Sequence, residues 1–200
     1  WQSGRGLVAD RYGDGRIFIA GDAAHLFTPT GGFGLNTGID DAANLAWKIA
    51  AAVQGWAGPL LLDSYDGERR LIGIRNTRAA LGFADAVGNC PVPADIEGDG
   101  TPGAAARATV RRYLGQVSHR EFLTLGVQLG ARYEGSPVIV PDGTEPVPDD
   151  FEHYRPSVRP VGRLPHFWRA PGFSVLDEIG PGFTLLCVES KQATVAWEEI

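Results

Sequence analysis

Asp22, together with the glycines at 31, 32 and 34, is where residue type and spacing could do chemistry. Asp22 follows Gly21 at the end of the apolar run Ile17-Phe18-Ile19-Ala20, which reads as a short strand covered on both faces. A carboxylate there stands at the C-terminal edge of a sheet, where open α/β folds bind ligands. The three glycines leave backbone N–H groups uncovered just before a helix expected to begin near Leu35 or Asn36. Such a helix start carries partial positive charge and suits an anionic or electron-rich group. Other candidates are weaker. His119, His153 and His166 have no ligand-like spacing to one another or to cysteine, so no metal site is expected. Asp40 and Asp41 read as first-turn residues that favour the helix dipole. There is no Gly-x-Ser-x-Gly elbow, and no side chain is assigned a catalytic role.

The elements that must position this stretch follow from pattern. A helix is expected from about Asn36 to Gln54, stopping at Gly55, with Ile39, Ala43, Ala46, Trp47 and Ala50 on the face that lies against a sheet. After Gly58-Pro59 a second helix runs from about Leu61 to Val87, burying Leu62, Tyr65, Ile72 and Leu81. Asn89 to Gly103 reads as a mobile loop, Ala104 to about Leu125 as a helix, and Tyr133 to Val140 as a short strand. Glu145 to Pro171 is irregular and rich in Pro, Arg and His.

The run Gly-Asp-Ala-Ala-His from Gly21 to His25, then Pro-Thr-Gly-Gly-x-Gly-x-Asn from Pro29 to Asn36, then Asp-Ala-x-Asn-Leu-Ala-Trp-Lys ending at Lys48, resembles the second FAD-binding motif of the class A flavoprotein aromatic hydroxylases. These are the para-hydroxybenzoate hydroxylase-like monooxygenases, and the resemblance is closest to the branch acting on phenols and on polyketide or indole-derived aromatics. It implies an α/β fold. Residues 1–140 would be the C-terminal part of a Rossmann-like, glutathione-reductase-type FAD-binding domain, and 141–172 a Pro/Arg-rich linker. Residues 173–200 would begin a thioredoxin-like domain, with strands at 173–178 and 183–188.

The resemblance also implies the chemistry. FAD is reduced by NAD(P)H, oxygen adds at the flavin C4a carbon, and one oxygen atom passes to an electron-rich ring of a small aromatic substrate. Asp22 matches the carboxylate that accepts a hydrogen bond from the ribityl chain. Gly34, Leu35 and Asn36 match positions whose backbone faces the pyrimidine edge of the isoalloxazine. Pro29 matches a residue beside the flavin whose carbonyl faces the substrate space, while Thr30, Gly31 and Gly32 let the backbone approach the ring. His25 holds a structural place in the motif. Tyr65, Glu68 and Arg69 match a Ser-Tyr-x-x-Glu-Arg segment, expected to tie its helix to the FAD domain through an Arg–Glu pair.

The family's Gly-x-Gly-x-x-Gly pyrophosphate turn has no counterpart, because the loose run Gly4-Arg5-Gly6-Leu7-Val8-Ala9 follows no strand. With no Met in the sequence, a C-terminal fragment is the expected reading. Exposed sheet edges would then call for a partner, with a homodimer one solution. The alternative is a truncated, non-catalytic homologue serving as a binding or assembly module. A geranylgeranyl reductase-like or halogenase-like flavoenzyme is disfavoured by the Asp41 to Lys48 sequence and the thioredoxin-like tail. The net charge of -6 without a basic stripe argues against nucleic acid. The short apolar runs argue against a membrane span, and Cys90 and Cys187 read as reduced thiols, so a cytoplasmic location is expected.

Overall fold

The computed structural model describes residues 4–180 and 182–186, and divides into a unit ending at Arg163 and a second beginning at Leu164. The first unit is built on long helices. α1 spans Phe33–Gln54, α2 Leu60–Gly88, α3 Gly100–Phe122 and α4 Leu125–Leu129. α1 ends at Gly55, whose φ of 81° is the left-handed stop expected of a glycine there. Around the start of α1 lie four two-residue strands. β1 (Leu7–Val8) pairs antiparallel with β4 (His25–Leu26), and β2 (Gly13–Asp14) with β3 (Ile17–Phe18). Gly15 (φ 60°) opens the two-residue β2–β3 loop, the arrangement of a II′ hairpin.

Several elements differ from the sequence reading. α1 begins at Phe33 rather than near Leu35 or Asn36, because Gly31 and Gly32 (φ 69° and 68°) deliver the chain directly into the helix. Asp40 and Asp41 are therefore well past its first turn. The run Ile17 to Ala20 is a strand for only two residues and pairs only with β2, so Ile17 is 73% exposed instead of covered. Among the described residues every ladder is antiparallel and two-stranded. Tyr133 to Val140 forms turns rather than a strand: Gly135 adopts φ 76° and the Ser136 hydroxyl is drawn inward to Glu68. The loop before α3 is held in place, since the Arg107 guanidinium donates to the carbonyls of Ile96 and Gly98.

The largest departure is on α1. The face predicted to be buried points outward, with Ile39 57% and Trp47 40% exposed. The buried positions are Phe33, Thr37, Asp41, Lys48 and Ala51. They face α2, whose Leu61, Ser64, Tyr65, Glu68, Arg69 and Ile72 are also buried. The seam between the two helices is thus largely polar. Apolar packing flanks it: Phe33 with Ala79, Ala80, Phe83 and Val127 at one end, and Tyr12, Ala24 and Tyr65 at the other.

The second unit contains β5 (Trp168–Ala170) paired antiparallel with β6 (Phe173–Ser174), then a 3-10 turn at Val175–Glu178. Ser174 and Asp177 close a capping box on that turn, and the His166 ring nitrogen Nδ1 lies 2.7 Å from the Ser174 hydroxyl. Of the strands expected here, 173–178 is a two-residue strand followed by a turn, 183–186 is irregular, and 187–188 lies outside the described residues.

Candidate flavin-facing groove

Asp22 sits in a 3-10 turn, Gly21–Ala23, laid against α1. The approach is close: a Cβ on Gly38 of α1 would come within 3.2 Å of the Gly21 Cα. Glycine at both positions therefore sets the distance between the Asp22 turn and the helix. The turn is also tied from beneath, since the Gly21 N–H donates to Asp41 Oδ2 at 3.1 Å.

Asp22, Gly34 and Leu35 are shared by two adjoining open grooves at the start of α1. One is completed by Leu26, Phe27, Thr28, Pro29, Thr30, Gly32 and Phe33, and the other by Ala20, Gly21, Gly38, Ile39 and Ala42. The fold thus brings Asp22, Pro29, Gly32, Gly34 and Leu35 together. Two sequence-predicted residues stand apart. The Gly31 N–H is turned away and donates to Glu121 Oε1 of α3 at 2.8 Å. The Asn36 side chain folds back to donate to the Gly32 carbonyl at 2.8 Å, and neither residue lines the grooves.

The glycines have different reasons for being glycine. Gly31 and Gly32 need their positive φ. Gly34 does not: it is helical, and a Cβ there would meet nothing closer than 3.8 Å. No packing inside the chain requires a glycine at 34, and a helix position without that need favours alanine.

The loop is braced by residues that the motif did not mark as structural. The Thr30 hydroxyl donates to the Ala80 carbonyl of α2 at 2.7 Å and lies 3.0 Å from the Thr28 hydroxyl. Beneath the Asp22 turn runs a buried polar network. Asp41 accepts from Arg69 Nε at 2.8 Å, and His25 Nε2 lies 2.6 Å from Oδ2. Burial alone would raise the Asp41 carboxyl, but the hydrogen bonds from His25 and Arg69 outweigh it and hold the group below the usual carboxylate range. Asp41 is then an ionised acceptor, which puts the proton of the His25 contact on Nε2.

Arg69 continues to the Tyr133 hydroxyl at 3.1 Å. Glu68 accepts from Lys48 Nζ (2.6 Å), Asn44 Nδ2 (2.8 Å) and the Ser136 hydroxyl (2.6 Å), and these bonds keep it below its usual range against the opposing effect of burial. The expected tie of α2 to the rest of the domain is made by Arg69 and Glu68, but through two cross-helix pairs, Arg69–Asp41 and Glu68–Lys48, and not an Arg–Glu pair. Adjacent residues on a helix point about 100° apart, so they meet different partners on α1. The signal available in the sequence was the seven-residue spacing of Asp41 and Lys48, which puts opposite charges on one helix face.

Among the described residues no group of three or more His, Cys, Asp or Glu could hold a metal, and no helix is long and apolar enough to cross a membrane.

Residues 3–80 match the FAD binding domain family. A polyketide hydroxylase of Streptomyces halstedii is 40% identical over 198 residues, which is 96% of this chain but 32% of that protein. The rebeccamycin biosynthetic enzyme RebC, solved with reduced flavin, superposes with a TM-score of 0.80 at 41% identity, covering 92% of this chain and 34% of RebC. The dialkyldecalin synthase of Streptomyces rugosporus is 61% identical over 74 residues, 36% of this chain and 16% of the synthase. The fold is shared with the flavoprotein RebC. The chain belongs to the FAD-binding family that includes the polyketide hydroxylases, and it spans about a third of the length of such relatives.

Proposed function

We propose that the chain supplies the flavin-facing segment of an FAD-dependent monooxygenase that hydroxylates an aromatic or polyketide-type substrate with NAD(P)H as reductant. The observation that carries this reading is Gly34, a helical glycine that the fold itself does not need, at the mouth of a groove bounded by an exposed carboxylate. The donor set fits FAD. Asp22 accepts from a ribityl hydroxyl. The N–H groups of Gly34 and Leu35, at the positive end of the 22-residue α1, donate toward the pyrimidine edge, without the Asn36 that the sequence also suggested. Pro29 offers only a carbonyl on the substrate side, having no N–H to satisfy. When bound, FAD supplies the hydride acceptance and oxygen transfer, and the protein orients the ring and excludes water.

The test is the visible spectrum of the purified 200-residue chain after FAD addition and desalting. A retained and shifted flavin band supports the groove as a flavin site. Loss of all flavin, both here and in a longer gene product, would sink the reading. A second reading has one observation behind it: a relative sharing 61% identity through the FAD segment is named as a synthase, not a hydroxylase. The segment could therefore serve a protein that binds FAD and performs no hydroxylation. NAD(P)H oxidation by the full-length protein, stimulated by a phenol, separates the two.

A further inference from the structure

Away from the groove, a cavity of about 140 Å³ lies between α2 and α3. Ala79, Gly82, Phe83 and Ala86 of α2, Val117 of α3 and Phe151 form its apolar wall, while Arg78, Arg120 and Glu152 supply a polar edge. We infer that this cavity is a second binding site, taking one benzenoid ring that carries an acidic group. Three observations converge on that ligand class. An apolar cavity of about 150 Å³ is enough to hold benzene. Gly82, near the C-terminal end of α2, lines the cavity mouth and has no atom within 4 Å of where its Cβ would be, so a side chain there would enter open space. Such a residue costs the helix about 1 kcal/mol relative to alanine, with no packing in the chain to offset it. At the edge, Arg120 is committed to Glu152 at 2.7 Å, but Arg78 makes no hydrogen bond or ion pair among the described residues and remains available to an anion.

The cavity wall touches the supports of the glycine loop. Phe83 stacks on Phe33, the first residue of α1, with ring centroids 6.2 Å apart. Ala80, next to Ala79, accepts the Thr30 hydroxyl, and Glu121, next to Arg120, holds the Gly31 N–H. A ring seated between α2 and α3 is therefore reported at the loop. Only the meaning of that report for catalysis rests on the flavin reading above; binding itself does not.

The experiment uses 4-fluorobenzoate as probe on the flavin-free chain, read by 19F NMR titration, with the Gly31 amide followed in parallel by 15N NMR. The expected result is saturable binding and a shifted Gly31 amide. Gly82→Leu should abolish binding by filling the space. Arg78→Met should weaken 4-fluorobenzoate about tenfold while leaving neutral 4-fluorotoluene unchanged. Circular dichroism of each variant guards against misfolding, and Gly82→Ala serves in place of the leucine variant should that one unfold. Equal affinity of wild type and filled variant would overturn the site. An unchanged preference for the acid in Arg78→Met would overturn the assigned ligand class, and a Gly31 amide unmoved at saturation would remove the link to the loop. Flavin retention, measured separately, is untouched by any of these outcomes.

Discussion

Replacing Asp41 by asparagine tests whether the buried network, and not apolar packing, sets the Asp22 turn. Asp41 is fully buried and accepts three contacts: Arg69 Nε at 2.8 Å, His25 Nε2 at 2.6 Å and the Gly21 N–H at 3.1 Å. An amide keeps the shape but loses the charge, and one of its two polar atoms becomes a donor facing donors. Arg69, 1% exposed, is left with the neutral Tyr133 hydroxyl and Thr37 carbonyl and with Asp40, a distant 4.0 Å away and solvent-exposed. Breaking a buried pair in this way costs about 3–5 kcal/mol. At about 2–4 °C per kcal/mol for a chain of this size, Tm should fall by about 6–20 °C. The assay is thermal and urea unfolding by circular dichroism, run on Asp41→Asn, on Arg69→Met and on Asp41→Leu combined with Arg69→Met. The combined variant should recover most of the loss, since removing both partners leaves no orphaned charge. A loss below about 1 kcal/mol for Asp41→Asn, or a combined variant no better than the singles, would refute the reasoning.

Gly34→Ala should leave Tm unchanged or slightly raised while weakening FAD at least about tenfold, measured by flavin fluorescence, because on the proposed reading a Cβ there would clash only with the bound flavin and not with the chain. Gly73→Ala should be strongly destabilising, as its Cβ would fall 2.1 Å from the Tyr12 hydroxyl oxygen. Tyr12→Phe should restore part of that loss and be near neutral alone, the hydroxyl being buried without a partner. Stability should also drop in acid. Asp41 and Glu68 start from ordinary values of 3.8 and 4.5 and are both held lower in the fold, so their contribution is complete above about pH 4.5 and is lost as pH falls through their folded values. Urea midpoints between pH 6 and pH 3 should show this fall, shallower in Asp41→Asn.

The flavin motif was legible because its residues do local jobs: positive φ at Gly31 and Gly32, a bare helix start, and a carboxylate in a tight turn. The long helices were legible too, with ends fixed by Gly55 and by Pro59. The buried face of α1 was not. Its apolar stripe of Ile39, Ala43, Ala46, Trp47 and Ala50 has the better helical periodicity, but the side facing α2 carries Asp41 and Lys48, which are buried at little net cost only because α2 answers each charge. The seven-residue spacing of Asp41 and Lys48 hints at that face, but their partners lie 28 and 20 residues away, and no periodicity identifies them. Glu121 and Ser136 were invisible for the same reason: each reaches an element 90 or 68 residues away. Ile17 to Ala20 overstated its strand because composition reports what a segment could pair with, not which neighbours it has.

The cross-helix charges also act as a ruler. Asp41 meets Arg69 while Lys48, later in α1, meets Glu68 and Ser64, earlier in α2, so the two helices run antiparallel and are matched at two points. Helices joined by alkyl side chains can exchange one set of ridges for the next. Here a slip of one turn, about 5.4 Å, would separate both pairs at once and strand four buried charges. The start of α1, and with it the groove, is thereby indexed to α2 in whole helical turns.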